Sequence, residues 1–268
     1  MADMPEIFDR RNKTIMDFAS QVLGTSVPAE HVGVFFLGQA GFIFKTSEGT
    51  LLGVDLYLSD CCERYFGFKR LMPHLLEASE LTLDYLVATH AHYDHFDPDS
   101  VPLLMANGHT EFIGAKDTAE ECERLHITQN VTYLSVGDEL VRDEIKITVV
   151  PCDHGVETPH AIGLLIEIAD KRIYIMGDTC FRPDYLENEM LHGVDLLILP
   201  INGAFGNLNE GEAARVVSIL KPKLTVPCHY WNFAEHGGNP LLFRENLQKL
   251  GFDRSCLFMH QGEYLKLQ

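Results

Sequence analysis

Six consecutive residues, His90-Ala91-His92-Tyr93-Asp94-His95, place three imidazoles and a carboxylate in one short stretch. Imidazole nitrogen is the commonest side-chain ligand for zinc-like cations, and a carboxylate adds a harder oxygen donor. If the stretch stays extended, His90 and His92 project to one side, while Asp94 and His95 can turn toward a second position. The segment reads as a cradle for two metal ions. A His-rich stretch can also be a solvated surface turn, but this one directly follows Leu83-Asp84-Tyr85-Leu86-Val87-Ala88-Thr89. That apolar run carries β-branched and aromatic residues and no turn-formers, so it predicts a buried strand. Side chains at the end of a buried strand stand on a rigid scaffold, where functional groups concentrate.

Three further candidates occupy equivalent places. His154 follows Ile145-Lys146-Ile147-Thr148-Val149-Val150, Asp178 follows Arg172-Ile173-Tyr174-Ile175-Met176, and His229 follows Leu224-Thr225-Val226-Pro227-Cys228. Singly, a strand-end Asp caps a turn and a strand-end His makes one hydrogen bond. Together, four strand ends offering metal ligands form a pattern that chance rarely supplies.

The order His-x-His-x-Asp-His, then His, Asp and His, resembles the metallo-β-lactamase superfamily, and Asp55 in Gly53-Val54-Asp55 fits that family's first motif. The resemblance runs from about Val32 to the C-terminus. It implies an α/β fold, a four-layer αββα sandwich with metals at the sheet edges. It also implies that His90, His92 and His154 hold one divalent ion, that Asp94, His95 and His229 hold a second, and that Asp178 bridges them. Asp55 would orient a ligand by hydrogen bonding. Phe36-Leu37-Gly38-Gln39-Ala40-Gly41-Phe42, Val54-Asp55-Leu56-Tyr57 and Trp231-Asn232-Phe233 are similar to the L-ascorbate-6-phosphate lactonase group. The chain is shorter than typical members, with trimmed segments after Tyr57 and Gly155. Relatives in that group suggest Mn, and the wider superfamily suggests Zn; a mixed nitrogen and oxygen donor set accepts either.

Two divalent ions held close together lower the pKa of a shared water toward neutrality and polarise an ester or lactone carbonyl. No Ser or Cys nucleophile is then needed. The chain has no nucleophile-elbow sequence, and Gly38-Gln39-Ala40-Gly41 lacks the Gly-Lys-Ser/Thr of a phosphate-binding loop. The expected reaction is hydrolysis of a sugar-acid lactone such as L-ascorbate 6-phosphate. A hydroxide shared by the metals would attack the carbonyl carbon, and Asp94 would orient it and relay a proton to the leaving oxygen. Arg182 is the candidate phosphate clamp, because a guanidinium binds oxygens in pairs; an ion pair with Asp184 or Glu187 is its competing role. His160, Asn202, Trp231, Asn232 and His236 are candidates for the mouth of the pocket, and Trp231 could equally anchor a core. A phosphodiesterase or other metabolite hydrolase on the same metal pair is one alternative. A metal-binding module without catalysis is another.

The 268 residues carry no linker or charge block, so a single domain over 1–268 is expected. A net charge of −18 argues against nucleic acid as a partner. No run approaches the roughly 20 apolar residues of a membrane helix, and Met1-Ala2-Asp3-Met4-Pro5-Glu6 lacks the features of a signal peptide. Seven cysteines, an odd number, do not read as a disulfide framework, so a cytoplasmic setting is expected. The expected partner is a small-molecule substrate, and self-association into a homo-oligomer stays open.

Periodicity places an amphipathic helix over 5–23, three strands over 32–58, and helices from 97–100, over 117–125, 209–220 and 240–250. Strands are expected over 131–141 and 144–150, in a hairpin over 162–176, over 194–201, and within 257–267. Residues 60–80 are too irregular to assign and could form a lid.

Overall fold

The structure is a computed structural model that describes residues 18–268. Residues 5–17 of the expected first helix lie outside the described residues. The remainder is helix α1, Phe18–Gly24. The other helices are α2 Cys61–Phe66, α3 Val101–Met105, α4 Thr118–Arg124, α5 Glu210–Leu220 and α6 Pro240–Leu250.

Two mixed sheets form the centre. The first contains β1 Val32–Gly38, β2 Gly41–Lys45, β3 Leu51–Val54, β4 Tyr85–Ala88, β5 Glu111–Ala115, β6 Val131–Leu134 and β13 Tyr264–Leu267. Its order is β13-β1-β2-β3-β4-β5-β6. The second contains β7 Glu139–Arg142, β8 Ile145–Pro151, β9 Ile162–Ile168, β10 Lys171–Ile175, β11 Leu196–Pro200 and β12 Leu224–Cys228, in the order β12-β11-β10-β9-β8-β7.

Side chains alternate across each strand, and here both faces are buried, which explains the near-continuous apolar runs. In β1, Val32, Val34 and Phe36 face the other sheet, while Phe35 and Leu37 face α1. In β11, Leu196 and Ile198 face inward, and Leu197 and Leu199 pack beneath Ala213, Val217 and Phe243 of α5 and α6. The result is the αββα sandwich expected from the sequence. Asn209 caps α5 through the backbone N–H groups of Gly211 and Glu212, and Glu212 returns the bond to the Asn209 N–H. Asn209→Ala should therefore cost about 1 kcal/mol of stability in a denaturant titration; an unchanged midpoint would contradict that capping role. None of the described helices is long and apolar enough to cross a membrane.

Two expectations need correction. Residues 131–141 are not one strand: β6 ends at Leu134, and β7 begins the other sheet. The turn between them is closed by Asp138 N–H to Ser135 O and by Ser135 N–H to the Asp138 carboxylate, with Gly137 at a left-handed φ of 93°. This is the chain's crossing from one sheet to the other. Within 257–267 only Tyr264–Leu267 is a strand. Residues 60–80 contain α2 and a 3₁₀ turn, Ala78–Glu80. The stretch is tied down at Arg70, whose guanidinium donates to the Tyr57 and Ser59 carbonyls.

Candidate metal centre

Parallel pairing aligns strand ends. Val54 pairs with Val87 across β3 and β4, and Pro200 with Cys228 across β11 and β12. Asp55, the His90–His95 loop, Asp178 and His229 consequently leave the sandwich along one edge. Two backbone bonds join the sheets there: Ile162 N–H to Thr89 O at 3.0 Å, and His229 N–H to Gln39 O at 2.8 Å. The Gly177 turn before Asp178 is crowded, since a Cβ would sit 3.0 Å from the Ile162 carbonyl and φ is +66°. Gln39, Asp55 and His229 hold positive φ without being glycine. Such left-handed backbone costs energy and concentrates at functional sites.

The fold brings the seven candidate ligands together. His90 Nε2 and His154 Nε2 each lie 3.1 Å from His92 Nδ1. Asp178 stands between this group and the next. One of its oxygens is 3.6 Å from His154 Nε2 and 3.0 Å from His229 Nε2, and the other is 3.3 Å from His95 Nε2. Asp94 lies 3.1 Å from His229 Nε2 and 3.6 Å from His95 Nε2. His95 Nε2 is buried without a hydrogen-bond partner. His92 Nδ1 faces two other ring nitrogens at once. Lone pairs converging in this way, beside two carboxylates, suit divalent cations, and the nitrogen and oxygen donors fit Zn or Mn.

The electrostatics divide the four buried imidazoles into two pairs. Burial, with nearby imidazoles, pushes His90 well below its ordinary pKa, and burial pushes His154 down to about 4. Neutral rings keep their lone pairs available. Burial opposes ionisation of Asp94 and Asp178, yet the His95 and His229 imidazoles more than offset it and hold both carboxyls well below the usual range. His95 and His229 shift the other way: the facing carboxylates outweigh burial, raising His229 to about 9 and His95 well above its ordinary value, so a bound cation would displace a proton from each.

Asp55 is fully buried and accepts from Thr89 N–H and Thr89 Oγ1, each at 2.8 Å, and from His95 Nδ1 at 2.9 Å. A proton on Nδ1 leaves the Nε2 lone pair pointing into the centre. Asp55→Ala is therefore expected to weaken metal affinity about 10–100-fold in a chelator competition; unaltered affinity would remove Asp55 from this role.

Two groups escape sequence reasoning. Asp97 reads only as a helix start, yet its buried carboxylate gathers Leu58 N–H, Ser59 N–H and Ser100 Oγ, tying the loop after β3 to the histidine loop. Gln39 reads only as part of a motif. Its amide nitrogen lies 2.8 Å from Asp94 Oδ2 and 3.0 Å from both His229 Nε2 and His236 Nδ1. His236, a candidate for the mouth, stacks on His229 with ring centroids 4.7 Å apart.

The remaining substrate candidates fall elsewhere. A cavity of about 660 Å³ opens over the centre, lined by His92, Asp94, His154, Asp178, His229 and His236 among others. Arg182, His160, Asn202, Trp231 and Asn232 do not line it. Arg182 is engaged by Asp153 and Asp184, the ion-pair alternative, and stacks on Tyr185. His160 is exposed, and Asn202 is buried with its amide nitrogen on the Ala204 carbonyl. Trp231 and Asn232 belong to a separate cavity of about 490 Å³ with Arg244. Trp231 is 52% exposed, so it is no core anchor either.

Comparison with known proteins agrees with this architecture. Residues 55–230 match the beta-lactamase superfamily domain. A UPF0173 metal-dependent hydrolase of Thermococcus onnurineus is 32% identical over 195 residues, covering 70% of this chain and 84% of that protein. Among solved structures, a metallo hydrolase from Ignicoccus hospitalis superposes with a TM-score of 0.69 at 20% identity, covering 89% of this chain and 99% of that one. The metallo-beta-lactamase fold protein YhfI from Bacillus subtilis gives 0.67 at 18% identity, covering 88% and 99%. The chain belongs to the metallo-β-lactamase superfamily, with the UPF0173 metal-dependent hydrolases.

Proposed function

We propose that the chain is a metal-dependent hydrolase that opens a carbonyl ester, with a lactone as the leading substrate type. The observation that carries this reading is the Asp178 carboxylate, placed between two ligand clusters that face one cavity with Asp94 beside them. His90, His92 and His154 would hold one divalent ion, Asp94, His95 and His229 the other, and Asp178 both. Such a pair of ions supplies a nucleophilic water at neutral pH and polarises a carbonyl.

The chain's own groups do the rest. The ionised Asp94 oxygen faces the cavity and can take a proton and pass it to a leaving oxygen. Gln39 holds that carboxylate in place from the side of β1. Asp55 keeps the His95 ring in one orientation. All seven ligand positions are filled, which favours catalysis over a metal-binding module. Chemistry at phosphorus calls for cationic clamping, and no Lys or Arg is among the described residues lining the cavity. For the same reason the lactone carbonyl is better supported than the phosphate of L-ascorbate 6-phosphate. All seven cysteines are unpaired, in keeping with the cytoplasmic setting we propose.

The test restores Mn or Zn to metal-free protein and assays L-ascorbate 6-phosphate, an unphosphorylated sugar lactone and a nitrophenyl phosphodiester. Turnover of a lactone supports the reading. Turnover of the diester alone would keep the metal centre and overturn the carbonyl chemistry.

A further inference from the structure

The wall facing the metal centre is aromatic. Phe66, Phe68, Phe205, Phe233, Tyr93 and His236 line the cavity together with the ligands. They form a connected chain: Tyr93 to Phe66 at 5.6 Å, Phe66 to Phe68 at 6.3 Å, Phe68 to Phe205 at 5.7 Å, and Phe205 to His236 at 5.3 Å. These rings come from the histidine loop, the end of α2, the loop after β11 and the loop after β12. Nothing local requires them to converge.

Two of them are exposed in a way that a folding core does not explain. Phe66 and Phe205 are each 57% exposed. Phe205 also holds a left-handed φ of 53°, between Gly203 and Gly206, which share positive φ. A bulky residue in that conformation is strained, and here the strain displays an apolar ring to solvent at the rim of a reactive centre. A contiguous exposed apolar patch with a few convergent polar groups marks a ligand site.

Charge narrows the class of ligand. The charged groups on the cavity wall, apart from the candidate ligands Asp94 and Asp178, are Asp153 and Glu157. No Lys or Arg is among the described residues lining the cavity, and Arg182 is held by Asp153 and Asp184 and Arg124 by Glu121. A second anionic group on the substrate would meet ring faces and carboxylates.

We propose that this site takes an uncharged ester or lactone carrying an aromatic or comparably bulky apolar group, seated against Phe66, Phe68 and Phe205. The proposal rests on the hydrolase reading above for its chemistry, but not for its binding. In metal-loaded protein, dihydrocoumarin should be hydrolysed with a kcat/KM at least about tenfold above that of gluconolactone, since a single methylene in an apolar pocket already provides about 10–200-fold. Phe205→Ala and Phe66→Ala should each cut that preference about tenfold, mainly through KM, and Phe205→Leu should restore part of it. Both positions are exposed, so these variants should fold.

Binding is measured separately with N-benzylacetamide against N-methylacetamide, neither of which need be hydrolysed. Tighter binding of the benzyl compound, lost in Phe205→Ala, supports the aromatic seat even if no lactone turns over. That combination would place the failure in the hydrolase reading instead. Equal binding of the two amides, or a preference for 6-phosphogluconolactone over dihydrocoumarin, would overturn the proposal.

Discussion

Asp178→Ala should lower kcat/KM by about 10³-fold or more and strip the protein of most of its metal. The carboxylate lies 3.0 Å from His229 Nε2, 3.3 Å from His95 Nε2 and 3.6 Å from His154 Nε2, so it serves both ligand clusters. It is also a buried counter-charge to His95 and His229. Removing it would take one ligand from each proposed cation and leave His95 and His229 with one fewer charge partner in a dry site. Several kcal/mol of Lewis-acid stabilisation go with the metals, and about 1.4 kcal/mol corresponds to each factor of ten. Asn207, whose amide donates to Asp178 at 2.8 Å, would lose that acceptor, so the fold of the variant has to be checked alongside its activity. Elemental analysis and turnover, with circular dichroism to confirm folding, read the outcome. Undiminished metal content and activity would show that Asp178 is a structural cap.

Asp94→Asn should separate chemistry from binding. The side chain keeps its shape and an oxygen to offer a cation, but an amide cannot accept and release a proton at neutral pH. Turnover should fall about 10²–10⁴-fold, the range for loss of a proton-transfer group, with KM changing little. The assay is run with metal in excess, so that weaker affinity does not pass for lost chemistry. The native environment is built for an ionised oxygen here: Gln39 donates at 2.8 Å, and His229 and His95 hold the carboxyl well below its usual range. Unchanged turnover would remove Asp94 from the proton path.

Much of the centre was legible because its residue types are rare in combination and each follows an apolar run. Every run became a strand, and parallel pairing then delivered His90, Asp178 and His229 to one edge. Gln39 was not legible as a site residue. Its amide reaches Asp94 and His229 only because the ends of β1 and β12 meet across the two sheets, a contact 190 residues apart for His229. The aromatic wall was hidden for a similar reason, since Phe66 and Phe68 lie in a stretch with no periodicity and Phe205 in a glycine loop. Residues 131–141 misled through pattern: apolar residues continue on both sides of Ser135-Val136-Gly137-Asp138, and the turn residues between them mark the change of sheet. Arg182 and Trp231 stand near Asp178 and His229 in sequence. The fold turned Arg182 toward its own acidic neighbours and Trp231 toward a second cavity.

The most direct measurement is the metal content of the purified chain after incubation with Mn or Zn and removal of excess ion. About two divalent ions per chain is the expected result, with His154→Ala and His229→Ala each losing one and Asp178→Ala losing most of both. Absence of bound metal in the unaltered chain, or an unchanged content in all three variants, would contradict the assignment of this cluster as a metal centre.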